Sequence, residues 1–153
     1  MSCSSHRFLL PLGLLAAGAA LAGGPEAQER WIVPSAPQKP HSWRYTTADP
    51  GPRYAEPDFD DSAWATGPSG FGTQGTPRAV IGTVWNTADI WLRTAFDYDG
   101  SPFTVAAVHV HHDEEAVVTL NGSPLFKSVE WYLTDYQLLD ATAAMRKALR
   151  KGR

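Results

Sequence analysis

Between Trp31 and Asp140 no apolar run holds a helical period for long, and Gly and Pro repeatedly cut the chain. The 13 Gly and 12 Pro exclude a helical bundle and leave short strands joined by turns. Trp43–Thr47 alternates, with Trp43 and Tyr45 on one face and Arg44 and Thr46 on the other. Asp89–Tyr98 and Phe103–His112 alternate in the same way, the latter setting Val108 and Val110 against His109 and His111. Ala116–Leu120 runs into Asn121-Gly122, a pair that tolerates the two positive φ angles of a type I′ hairpin, so Pro124–Lys127 is the return strand. Tyr132–Leu139 is one more strand candidate. Gly67 to Gly82 holds five glycines and two prolines and reads as a long shaped loop. A helix is expected only after Asp140, capped by Asp140 or Thr142, striped by Ala144, Met145, Ala148 and Leu149, and stopped by Gly152. The expected fold class is all-β, a jelly-roll β-sandwich with one short C-terminal helix.

Residues 1–22 have the anatomy of a secretory signal peptide: His6 and Arg7, an apolar stretch from Phe8 to Leu21, and the cleavage pattern Ala20-Leu21-Ala22. A membrane span needs roughly 20 apolar residues, and this run is shorter, with Pro11 and Gly13 inside it. Cleavage would remove Cys3, the single cysteine, so the mature chain would carry no thiol, disulfide or multi-cysteine metal site. Residues 23–40 are then a flexible mature N-terminus and 41–153 the sandwich. The implied location is secreted or periplasmic, with no membrane span after cleavage.

Charge argues against nucleic acid, since 13 basic and 16 acidic side chains give a net −3. The balance is uneven: residues 30–140 carry 7 basic and 14 acidic groups, residues 141–153 carry 5 basic and none acidic. The basic tail suits the last turns of a helix, where cations complement the macrodipole. Gly70-Phe71-Gly72-Thr73-Gln74-Gly75 fits G-x-G-x-x-G, but a Pro-Gly turn region precedes it and Pro77 follows, so no helix N-terminus is there to receive a pyrophosphate. His109, His111 and His112 with Asp113, Glu114 and Glu115 are the densest set of ligand-type groups. Without a third spaced ligand they read as histidines on an exposed sheet face and acids solvating a turn, and no metal or cofactor is implied. Asp60/Asp61 and Glu114/Glu115 are sequence neighbours, not carboxyls about 5–10 Å apart across a cleft. With no G-x-S-x-G elbow either, no catalytic constellation emerges.

Aromatics are the better lead. Trp43, Trp64, Trp85, Trp91, Trp131 and Tyr132 exceed what a core of this size needs, and an indole face stacks on the apolar face of a sugar ring. Trp43 and Trp91, on alternating strands, belong to the core; loop Trp85 and the Trp131-Tyr132 pair are the candidates for exposure. Asn121-Gly122-Ser123 is formally a glycosylation sequon, although the hairpin accounts for its Asn and Gly.

Read in order, Trp43-Arg44-Tyr45, Phe59-Asp60-Asp61-Ser62-Ala63-Trp64 and Gly70-Phe71-Gly72 resemble the opening of galactose-binding-like jelly-roll domains. Asp89-Ile90-Trp91-Leu92-Arg93 with Phe96 is similar to that group's next strand, and His111-His112-Asp113-Glu114 through Val117–Leu120 to Asn121-Gly122 is similar to its hairpin. The resemblance covers roughly residues 40–152. Such domains occur on secreted bacterial proteins beside glycoside hydrolase or glutaminase-like domains, which implies a non-catalytic accessory module, not an enzyme, that binds carbohydrate. Against the family pattern, the chain is expected to stop before the last strands of the sandwich. The expected ligand edge is Trp85, Trp131 and Tyr132, with His111, Asp113 and Glu114 as polar contacts. One alternative is the N-terminal fragment of a larger secreted hydrolase whose catalytic domain lies outside this chain. Another is a structural domain that takes a protein partner at an open sheet edge.

Overall fold

The computed structural model describes residues 13–17, 29–129 and 132–152. Eleven strands run in chain order: β1 (Gly13–Ala17), β2 (Arg30–Val33), β3 (Ser42–Thr46), β4 (Ala65–Pro68), β5 (Phe71–Gly72), β6 (Thr83–Val84), β7 (Trp91–Arg93), β8 (Val105–Val110), β9 (Ala116–Leu120), β10 (Ser123–Ser128) and β11 (Gln137–Asp140). A 3-10 turn, Pro52–Ala55, follows β3, and one helix, α1 (Thr142–Ala148), comes last. They form a four-stranded sheet in the order β11-β8-β1-β2, a three-stranded sheet β4-β3-β7, the hairpin β9-β10 and the short pair β5-β6. All pairings are antiparallel except β5 with β6. The all-β class is therefore as expected, with one short C-terminal helix.

One core draws on every sheet. Val33, Trp43, Phe71, Trp85, Ile90, Ala106, Val108, Val110, Val118, Leu133, Ala141 and Met145 form a single buried cluster. Phe71 and Met145 are completely excluded from water, and burying a side chain of that size stabilises the fold by about 1.5–3 kcal/mol. Trp43 and Trp91 are buried as expected. The hairpin turn also forms as expected, with Asn121 at φ 50° and Gly122 at φ 76°.

Several elements depart from the sequence reading, each for a local reason. Strand β8 buries Ala106, Ala107 and Val108 in succession, so residues on both of its faces are out of water and the alternation marks no exposed side. The histidines that follow are consequently not on an exposed face: His111 and His112 are buried and His109 is half-buried. The alternating run 89–98 is a strand only over Trp91–Arg93. Beyond it, Thr94 turns its hydroxyl to the Ser42 carbonyl, and Arg93 reaches the carbonyls of Tyr54 and Glu56. In the run 132–139 only the end is a strand: Leu133 is buried, with its N–H on the His112 carbonyl, before β11 begins. The helix ends at Ala148 rather than near Gly152, and Gly152 pairs instead with Tyr98 through two 2.8 Å backbone hydrogen bonds. The N-cap is Ala141, with no side-chain cap bond, rather than Asp140 or Thr142, although Asp140 accepts the Thr142 N–H at 2.8 Å; Met145 and Ala148 are buried as the stripe requires.

Gly70-Phe71-Gly72 is a packing device. Gly70 sits at φ +92°, and a Cβ there would lie 2.0 Å from the Val80 carbonyl oxygen. The glycine lets the two arms of the 67–82 loop touch, with the N–H groups of Gly82 and Thr83 both donating to the Gly70 carbonyl.

Candidate functional site

Of the residues expected to bind ligand, Trp85 and His111 are buried, while Asp113, Glu114 and Tyr132 are exposed on either side of the backbone bond from the Leu133 N–H to the His112 carbonyl. Trp85, expected at an exposed loop edge, is 4% exposed in the core, with its indole N–H donating to Thr87 Oγ1 at 2.6 Å. A short strand pair pulls it inward, since its backbone N–H bonds the Gly72 carbonyl beside β5-β6. His111 is buried, its ring 5.3 Å from that of Tyr136. Asp113 and Glu114 are exposed at the turn into β9, and Tyr132 is 64% exposed. Trp131 lies outside the described residues.

The histidine-rich stretch is structural in its contacts. His109 and His111 share one face, as their spacing predicts, and both meet the Tyr136 ring at 5.2–5.3 Å; Trp31 covers His109 from the other side. His109 Nδ1 lies 2.7 Å from the hydroxyl of fully buried Ser35. His112 Nδ1 donates to the Glu114 carbonyl, to which Ser128 Oγ also donates, and Ser128 in turn accepts the Ala116 N–H. These bonds hold Glu114 at φ 56°, turning the chain sharply into β9. Burial lowers the pKa of His109, His111 and His112, partly countered by the charge of Asp135 at His109 and of Asp113 at His112. Among the described residues no group of three His, Cys, Asp or Glu side chains could hold a metal ion.

A concavity lies elsewhere. A cavity of about 450 Å³ opens between the β3-β7 strands, the 3-10 turn, the tip of the β9-β10 hairpin and the segment after α1. That volume is in the range of small-molecule sites. Its apolar wall is Trp43, Leu92, Phe96 and Leu125, while Thr94, Asn121 and Arg150 supply polar groups, the last two exposed at its mouth. Each wall residue is positioned by an element already described. Trp43 faces inward on β3 opposite Gly67, and its ring meets His41 edge-on at 6.1 Å. Asn121 is fixed in the hairpin turn, where Nδ2 donates to the Ala148 carbonyl at the end of α1. Arg93 is committed to the frame: its guanidinium pairs with Asp61 at 3.0 Å and lies over the Phe59 ring. The Trp43 indole N–H is buried with no acceptor among the described residues. An indole N–H can only donate, and left unpaired in a dry environment it costs about 1–3 kcal/mol.

Sequence reasoning placed Trp43 in the core and so passed over it as a ligand contact. Thr94, Asn121 and Arg150 come from three separate segments, and no spacing links them. No protein-family model matches the chain, no curated protein matches it in sequence, and no solved structure matches it in fold. Among the described residues, no helix is long and apolar enough to cross a membrane.

Proposed function

We propose that this chain is a secreted, non-catalytic accessory module of the galactose-binding-like jelly-roll type, and that it binds carbohydrate in the Trp43 cavity. The observation that carries the reading is the cavity itself, a concave wall of Trp43, Leu92, Phe96 and Leu125 with the polar groups of Asn121 and Arg150 at its mouth. Sugars present apolar C–H faces and hydroxyl oxygens together, which is what an aromatic wall with scattered donors recognises. The ordered motifs from Trp43 to Gly122 and the leader-like residues 1–22 supply the rest of the reading.

Glycan-array screening followed by calorimetry tests it. Trp43→Phe keeps an aromatic face and deletes the N–H, so affinity should fall about 2- to 10-fold; the smaller ring in the core also lowers the melting temperature, so binding is read well below the transition. Tyr132→Ala and Trp131→Ala should leave affinity unchanged, and a loss there would move the site to the exposed aromatic pair. Absence of any glycan binding by the unaltered chain would sink the reading.

A further inference from the structure

Strand β1 occupies an unusual place. It is the third strand of the four-stranded sheet, with β8 on one side and β2 on the other, and β2 reaches the sheet only through it. All five of its residues pair antiparallel with β8, from Gly13 opposite His109 to Ala17 opposite Val105. Leu14, Leu15 and Ala16 pair across the other edge with Val33, Trp31 and Arg30. Yet Gly13–Ala17 lies within the apolar stretch of the leader-like residues 1–22. One segment thus carries two assignments, a strand in the middle of a sheet and part of a removable leader.

We propose that the gap between β2 and β8 is a strand-acceptor site, filled in cis by residues 13–17 and able to take an extended apolar peptide in the same antiparallel register. Backbone geometry defines what the occupant must supply. Ala106 bonds through its N–H to Thr142 Oγ1 and through its carbonyl to the Ala141 N–H, so its polar groups face β11. Strand alternation turns Val108 and Val110 the same way, and turns Val105, Ala107 and His109 toward β1. An occupant therefore meets the backbone of those three residues with alternate N–H and C=O groups, which excludes proline at the paired positions. At alternate positions it lies beside Val33, Ala106 and Val108, all buried, so the residues opposite them must be apolar. Main-chain pairing gives such a site affinity with little sequence demand. Removal of residues 1–22 would leave two unpaired strand edges facing each other inside one sheet. The occupant to which we commit is a peptide with the sequence of residues 11–20 of this chain. The proposal does not depend on the carbohydrate reading, because strand exchange and glycan binding are read by separate measurements and either can fail alone.

The test uses the full chain, uncleaved, with Leu15→Pro, which deletes the N–H at the position opposite Ala107. Amide exchange at Ala107 and His109 should accelerate at least tenfold, while Ala106, Val108 and Val110, which face β11, keep their protection. Added synthetic peptide of residues 11–20 should restore Ala107 and His109, and the same peptide carrying proline at the Leu15 position should not. Should Leu15→Pro not fold, the unaltered chain is nicked by a protease site placed within residues 18–28. The cut N-terminal piece should then stay bound one-to-one and be displaced by excess labelled peptide. Unchanged exchange at Ala107 and His109 in the variant, equal rescue by the proline peptide, or loss of the nicked piece without faster exchange would each overturn the proposal.

Discussion

His41, His109, His111 and His112 all titrate below the ordinary histidine value of 6.5, in each case chiefly because burial disfavours the charged ring. The unfolded chain therefore takes up protons before the folded one does as pH falls through 6.5. Stability contributed by the neutral rings is full above that value and declines below it, down to the lowered folded values. Urea unfolding should show a midpoint that drops between pH 7.5 and pH 5. His112→Asn should flatten that slope, because the Asn amide can still donate to the Glu114 carbonyl without titrating. The slope is the readout, since the smaller side chain lowers stability at every pH. A second residue, Arg93, joins three segments: it pairs with Asp61 and donates to the carbonyls of Tyr54 and Glu56. With only 18% of its side chain exposed, water replaces these bonds poorly. Arg93→Met should cost about 2–4 kcal/mol in chemical denaturation, whereas removing the exposed Arg53, paired with Glu56, should cost little.

At the scale of elements, the turns were the most legible part of the sequence. Asn121-Gly122 encodes its hairpin because few other pairs adopt two positive φ angles, and the structure shows both. The glycines of the 67–82 loop were recognised as loop-forming, but their reason is tertiary: Gly70 makes room for Val80 from across the loop. Gly70→Ala should destabilise the chain by about 2 kcal/mol or more, combining a steric clash with an unfavourable φ, and a thermal melt would report it. Strand extents were less legible. The alternation of residues 89–98 outlasts its strand because Arg93 and Thr94 spend their side chains on neighbouring backbone, which no periodicity records. The His109–His112 stretch was misread as an exposed face because polar residue type was taken for exposure. Ser35, Tyr136 and Ser128, which make burial of these rings tolerable, come from distant positions. Trp85 was misjudged for the same kind of reason, its inward position being set by pairing with Gly72.

For the whole molecule, the described residues close onto themselves late in the chain. Gly152 pairs with Tyr98, and Leu149, Arg150 and Gly152 line the same cavity as Trp43. Ending the chain after Leu149 removes two backbone hydrogen bonds, together worth about 2 kcal/mol. The melting temperature should fall by about 4–8 °C. If the cavity holds carbohydrate, the same truncation should also weaken binding, since it strips one wall. Cavity residues were the part of the molecule least legible beforehand, because Trp43, Thr94, Asn121 and Arg150 converge only through the fold.

The central position of β1 also sets a clock. Its partner β8 emerges from the ribosome about 90 residues later, and contacts that distant form slowly because a long loop must close first. Until Val105–Val110 has been made, the apolar segment 13–17 has no sheet to join on that side. The four-stranded sheet is therefore completed by its late strand, and the moment Val105–Val110 is made decides when residues 13–17 can be paired on both sides.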